Sequence, residues 1–79
     1  AAALSVKRPV FCRKMRRAET LRVKVRYEAA GHEAEISEVT ATVIRARFRE
    51  PVRAVTPGQL AVFYEGDIVV AAGEISGQE

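Results

Sequence analysis

From Thr20 to Glu28 the chain alternates strictly. Leu21, Val23, Val25 and Tyr27 take one parity, and Arg22, Lys24, Arg26 and Glu28 the other. A period of two over this length is the signature of a strand with one face buried and the other in water. It therefore demands a sheet, with further strands to pair it. Val43 to Phe48 supplies a second case, with Ile44, Ala46 and Phe48 inward and Arg45 and Arg47 outward. Glu33 to Glu38 gives a third, with Ala34 and Ile36 inward and Glu35 and Ser37 outward. Leu60 to Tyr64 and Ile68 to Ala72 are almost wholly apolar and rich in β-branched and aromatic residues, which fits core strands. Ser5 to Phe11 mixes apolar and basic residues and reads as a first strand demoted toward an edge by Pro9, after a linker over Ala1 to Val6.

The punctuation agrees with short strands. Pro57-Gly58 fits the central positions of a type II turn, with proline presetting its φ and glycine accepting the positive φ that follows. Glu65-Gly66 reads as a short hairpin loop, Ala29 to His32 as a turn and Val39 to Thr42 as a weaker one. Glu50-Pro51 closes the strand before it, because proline cannot donate to a ladder. After Ile75 the tail frays beyond Gly77. Five or six short strands in 79 residues, with no helical pattern, predict an all-β fold: a small antiparallel sheet curled into a barrel that leaves no open edge. Residues 1–79 form a single domain on this reading.

Composition limits the function classes. The single Cys12 rules out an internal disulfide and points to a reducing cytoplasm. No apolar run approaches the roughly 20 residues that a membrane helix requires. The absence of an initiator Met suggests a piece of a longer protein. The net charge of +3 conceals an asymmetry: residues 1–26 carry nine Lys and Arg against one acid, while residues 27–79 carry four Arg against nine acids. A basic half points to an anionic partner, with nucleic acid first; solvated strand faces that block aggregation are the competing explanation. Arg22, Lys24 and Arg26 fall about 6.6 Å apart along one strand face, close to the spacing of successive phosphates. Arg13, Lys14, Arg16 and Arg17 form a second basic cluster, suited to phosphate contact or to a plain connector.

Catalytic patterns are missing. There is no Gly-rich phosphate loop, no cysteine pair, no Ser/His/Asp set and no second histidine to join His32, which reads as a solvated loop residue. Cys12 sits among cations, but with no base or resolving cysteine it reads as incidental. Glu65 and Asp67 read as solvated turn residues. The residues by themselves describe a β module with no catalytic or metal site.

Three motifs carry a resemblance. They are Val23-Lys24-Val25-Arg26-Tyr27, then Phe48 through Arg49-Glu50-Pro51-Val52-Arg53-Ala54-Val55-Thr56-Pro57-Gly58 to Gln59, then Ala61-Val62-Phe63-Tyr64-Glu65-Gly66-Asp67 with the apolar strand to Ile75. In order and spacing they resemble the C-terminal β-barrel of the bacterial tRNA-specific 2-thiouridylases, a barrel like those of translation factors. The resemblance spans roughly residues 4–75. It implies a fragment of a three-domain enzyme that uses ATP and a sulfur-donor protein to replace the C2 oxygen of the wobble uridine with sulfur. The ATP loop and catalytic cysteines would lie in the N-terminal domain, outside this chain, so the fragment itself would need no cofactor. The partners implied are the tRNA anticodon region and the N-terminal and central domains of the parent. By resemblance, Arg26, Tyr27 and Gln59 contact RNA. Arg22 and Lys24 join them as members of the same basic row. Alternation directs Tyr27 inward, so its ring is free for stacking only if the strand ends there. Glu28 replaces a family Arg, and Ala71-Ala72-Gly73-Glu74 replaces a glycine-rich strand end. The alternative is a structural barrel that packs on neighbouring domains, which predicts an exposed apolar patch.

Overall fold

A computed structural model of the chain describes residues 1–25, 30–53 and 55–79. Among these residues there are six strands: β1 (Ala3–Phe11), β2 (Thr20–Lys24), β3 (His32–Val39), β4 (Val43–Phe48), β5 (Leu60–Glu65) and β6 (Ile68–Gln78). They close into an antiparallel barrel in the order β1-β4-β3-β2-β5-β6, with β6 pairing back onto β1. The hairpin-linked β2, β3 and β4 form a meander, and β1 returns beside β4 in a Greek-key arrangement. The all-β barrel expected from the alternation is the fold observed.

Alternation fills the barrel. Leu21 and Val23 of β2, Ala34 and Ile36 of β3, Ile44, Ala46 and Phe48 of β4, and Ala61 and Phe63 of β5 all point inward and are buried. No polar or charged residue joins them in the core among the described residues. The connections seal the two ends. Met15 is buried within the loop of residues 12–19 that joins β1 to β2. Val52 and Val55 are buried in the segment between β4 and β5. The strand directions place the 12–19 loop, the β3–β4 turn and the β5–β6 hairpin at one end of the barrel. The other end holds the β2–β3 and β4–β5 connections and both termini.

Several expectations are corrected. The chain is strand from Ala3 rather than a linker through Val6, because Leu4 and Val6 pair with β4 and enter the core. Pro9 does not mark an edge in this closed sheet. Arg8 and Pro9 together oppose Gly73 alone, between the pairs Lys7↔Glu74 and Val10↔Ala72. This bulge removes the need for an N–H at Pro9, and Arg8 takes φ 51° to make it. Gly73 is the compensating residue: a Cβ there would collide with Val6 Cγ1 and stand 3.1 Å from both the Lys7 carbonyl oxygen and Pro9 Cα.

The hairpin loop is Gly66-Asp67 rather than Glu65-Gly66, since Glu65 still pairs with Ile68. Gly66 takes φ 59° at the first central position, as a type II′ turn requires. The type II turn is as expected: Gly58 has φ 94°, and Gln59 N–H donates to the Thr56 carbonyl at 3.2 Å. β6 does not fray at Gly77, because its pairing with β1 runs to Gln78. His32 is not in a solvated loop. It opens β3 opposite Val23 and packs edge-on against Phe48, with ring centroids 6.2 Å apart. Finally, Leu60, Ile68 and Val69 are exposed although their runs read as core, because only part of each strand faces inward.

Candidate nucleic-acid interface

The outer face of β2 presents Thr20, Arg22 and Lys24. β3 and β5 flank it, and the cross-strand pairs place Arg22 between Glu33 and Tyr64, and Lys24 beside Val62. Tyr64 points outward because its neighbour Phe63 is buried inside. The Lys24 ammonium lies 5.1 Å from the centre of the Tyr64 ring, a cation–π contact that extends the side chain along the sheet. Arg22 donates from Nη1 to the Gly31 carbonyl at 2.7 Å, which fixes the guanidinium, and it forms no direct ion pair among the described residues. Arg22, Lys24, Tyr64, Gly66 and Asp67 line one open cleft of about 340 Å³. It offers cations for phosphate and an aromatic face at its wall, the parts that single-stranded nucleic acid uses.

Of the residues singled out from sequence, Arg22 and Lys24 are brought together on this face. Arg26 and Tyr27 lie outside the described residues, as does Glu28. Gln59 stands apart, at the far end of β5 from the Gly66-Asp67 hairpin. Its backbone carbonyl accepts from Ile75 N–H at 2.7 Å, and its side-chain Oε1 is buried with no hydrogen-bond partner among the described residues. Sequence reasoning missed Tyr64. The signal was available, since one buried aromatic followed by another in a strand directs the second outward.

The remaining outer surface is divided. β3 and β4 expose Glu35, Ser37, Arg45 and Arg47, with Arg45 paired to Glu38 at 3.3 Å. Across β5, β6 and β1 a group of outward positions is apolar, namely Leu60, Val62, Val69, Ala72 and Val10, with Val62 and Val10 both opposite Ala72, and Lys7, Arg8 and Glu74 border it with ion pairs. Among the described residues no three His, Cys, Asp or Glu side chains could hold a metal ion, and no helix is long and apolar enough to cross a membrane.

Residues 1–75 match the family model for the aminomethyltransferase beta-barrel domain. The chain belongs to this family. Its relatives include the tRNA-specific 2-thiouridylase MnmA of Lachnoclostridium phytofermentans, 52% identical over 52 residues, covering 66% of this chain and 15% of that protein. MnmA of Pseudomonas aeruginosa is 46% identical over 65 residues, covering 82% and 17%. MnmA 1 of Thermoanaerobacter pseudethanolicus is 44% identical over 62 residues, covering 78% and 17%. The resemblance to the thiouridylase barrel read from the three motifs is thus upheld. The chain spans about a sixth of the length of the curated relatives it matches.

Proposed function

We propose that this chain is the tRNA-positioning barrel of a cytoplasmic, ATP-dependent tRNA 2-thiouridylase. In this role it holds the anticodon region while other domains of the enzyme adenylate the wobble uridine and deliver sulfur from a donor protein. The chemistry lies outside the barrel. The observation that carries the reading is the outward-facing row of Arg22 and Lys24 beside Tyr64 in a barrel of the thiouridylase family. Arg26 and Tyr27 continue the row in sequence, and Gln59, whose Oε1 is buried without a partner among the described residues, is the third RNA contact that the family resemblance implies. The test is binding of a wobble-uridine anticodon stem-loop across a salt series, with Arg26→Ala and Gln59→Ala alongside. Salt-sensitive binding weakened by both changes is expected. Absence of binding at low salt refutes an autonomous RNA contact.

The apolar outer face supports a second role for the same barrel, as a module seated on the other domains of its enzyme through β5, β6 and β1. Val10→Lys with Ile68→Lys should leave the isolated barrel folded and lower the melting temperature of the parent enzyme. An unchanged parent refutes this seat.

A further inference from the structure

We propose that the 12–19 loop is a preorganised second phosphate contact, which extends the RNA track from the outer face of β2 onto the end of the barrel. This inference rests on the RNA-positioning reading and adds Lys14, Arg16 and Arg17 to it.

The loop is anchored from several sides. Met15 is buried at 5% exposure, so the segment is tied to the core at its midpoint. Glu19 accepts from Arg13 Nη2 at 2.6 Å, from Arg13 Nη1 at 3.3 Å and from Arg16 N–H at 2.8 Å. Arg13 Nη2 reaches on to Glu65 Oε1 at 3.1 Å, binding the loop to the end of β5. Ala18 N–H donates to the Ile36 carbonyl at 2.7 Å, and Ile36 N–H to the Glu19 carbonyl at 2.9 Å, binding it to β3. A loop held in this way loses little further freedom when a ligand docks, so its charges act at low entropic cost.

The same bonds sort the charges. Arg13 bridges both nearby carboxylates, Glu19 and Glu65, and is the only cation in direct ion-pair contact with them among the described residues, while Arg16 feels the Glu19 charge at longer range. Lys14, Arg16 and Arg17 are exposed, and none forms an ion pair among the described residues. Lys14 and Arg16 line an open cleft of about 310 Å³ together with the clamp residues Arg13, Glu19 and Glu65. The loop runs directly into Thr20 at the start of β2, whose outer face continues with Arg22 and Lys24. The cations thus line two clefts, one at the barrel end and one on β2, joined by a continuous stretch of chain. Their chemistry suits the phosphates of a single RNA strand, which are regularly spaced anions read without regard to base.

The experiment measures binding of the anticodon stem-loop by fluorescence anisotropy as a function of salt. Four proteins are compared: the unaltered chain, a loop variant (Lys14→Gln, Arg16→Gln, Arg17→Gln), a β2 variant (Arg22→Gln, Lys24→Gln) and a β4 variant (Arg45→Gln, Arg47→Gln). Circular dichroism confirms the fold of each. The loop variant should flatten the slope of log K against log salt by about 2, at about 0.7 per phosphate contact, and the β2 variant by about 1.4. The β4 variant should match the unaltered chain. A loop variant that binds normally while the β2 variant is weakened overturns the inference and leaves the RNA reading standing. Equal weakening by the β4 variant also overturns it, because charge alone would then suffice. Failure of the unaltered chain to bind overturns both.

Discussion

Gly73→Ala tests whether the bulge and the glycine opposite it are one device. The added Cβ would overlap Val6 Cγ1, well inside the about 3.5–4.0 Å optimum for two carbons. Val6 is fully buried and cannot swing into solvent, and the other two close atoms, at 3.1 Å, belong to the backbone of the bulge. Overpacking of this kind costs about 1–3 kcal/mol. The reduced freedom of the unfolded chain returns about 0.4–1 kcal/mol. A net loss of about 1–2 kcal/mol should lower the melting temperature by about 4–16 °C in a domain of this size. Urea denaturation followed by circular dichroism measures the loss, and the Val6→Ala background isolates its cause. With the Val6 methyls gone, the new methyl group has room, and the penalty should shrink by about 1 kcal/mol as a coupling between the two sites. If Gly73→Ala costs nothing, or costs the same in both backgrounds, the steric account of the bulge is wrong.

Three further outcomes are expected. Gly58→Ala meets no atom within 4 Å, yet its φ of 94° should still cost about 1–2 kcal/mol, read as a lowered urea midpoint. Glu19, Glu33 and Glu74 are held below the ordinary carboxylate value of 4.5 by hydrogen bonds from Arg13, Arg49 and Arg8 respectively. The folded state then binds fewer protons than the unfolded one. Stability should be fully present above that value and fall as pH drops through the lowered ones, and Glu19→Gln should flatten part of the acid limb in a series of thermal melts. Phe63→Ala, at a fully buried position between β2 and β6, should cost about 3–5 kcal/mol and collapse the dispersed amide spectrum of the isolated barrel.

Strand identity and facing were legible in the sequence because a half-buried sheet writes its period directly into residue type. β2, β3 and β4 could be read this way, as could the type II turn at Pro57-Gly58. Pro9 misled because a bulge depends on the residue across the seam, Gly73, which is 64 positions away in the chain. The exposed Leu60, Ile68 and Val69 misled for a related reason: apolar runs have no visible period, so only pairing decides which residues face out. In the candidate interface, Arg22 and Lys24 were legible as a row, whereas the clamp of Arg13, Glu19 and Glu65 was not. Its last member joins across 52 residues and depends on which loops share a barrel end. Cys12 and His32 drew notice for their chemistry, and the structure gives His32 a packing role against Phe48.

The seam between β1 and β6 also sets a timetable. It joins the first strand of the chain to the last, pairing Leu4 with Gln78. A ribosome releasing this segment exposes β2, β3 and β4 early, and the meander can form as soon as they emerge. β1 then has one free side, paired to β4 alone, until the final residues appear. Contacts of such long sequence separation are slow to form, so closure belongs to the millisecond-to-second folding regime of non-local β structures. During that interval the apolar edge of β1 is open to other chains, and the basic residues Lys7 and Arg8 within it act as guards until Glu74 arrives to pair with them.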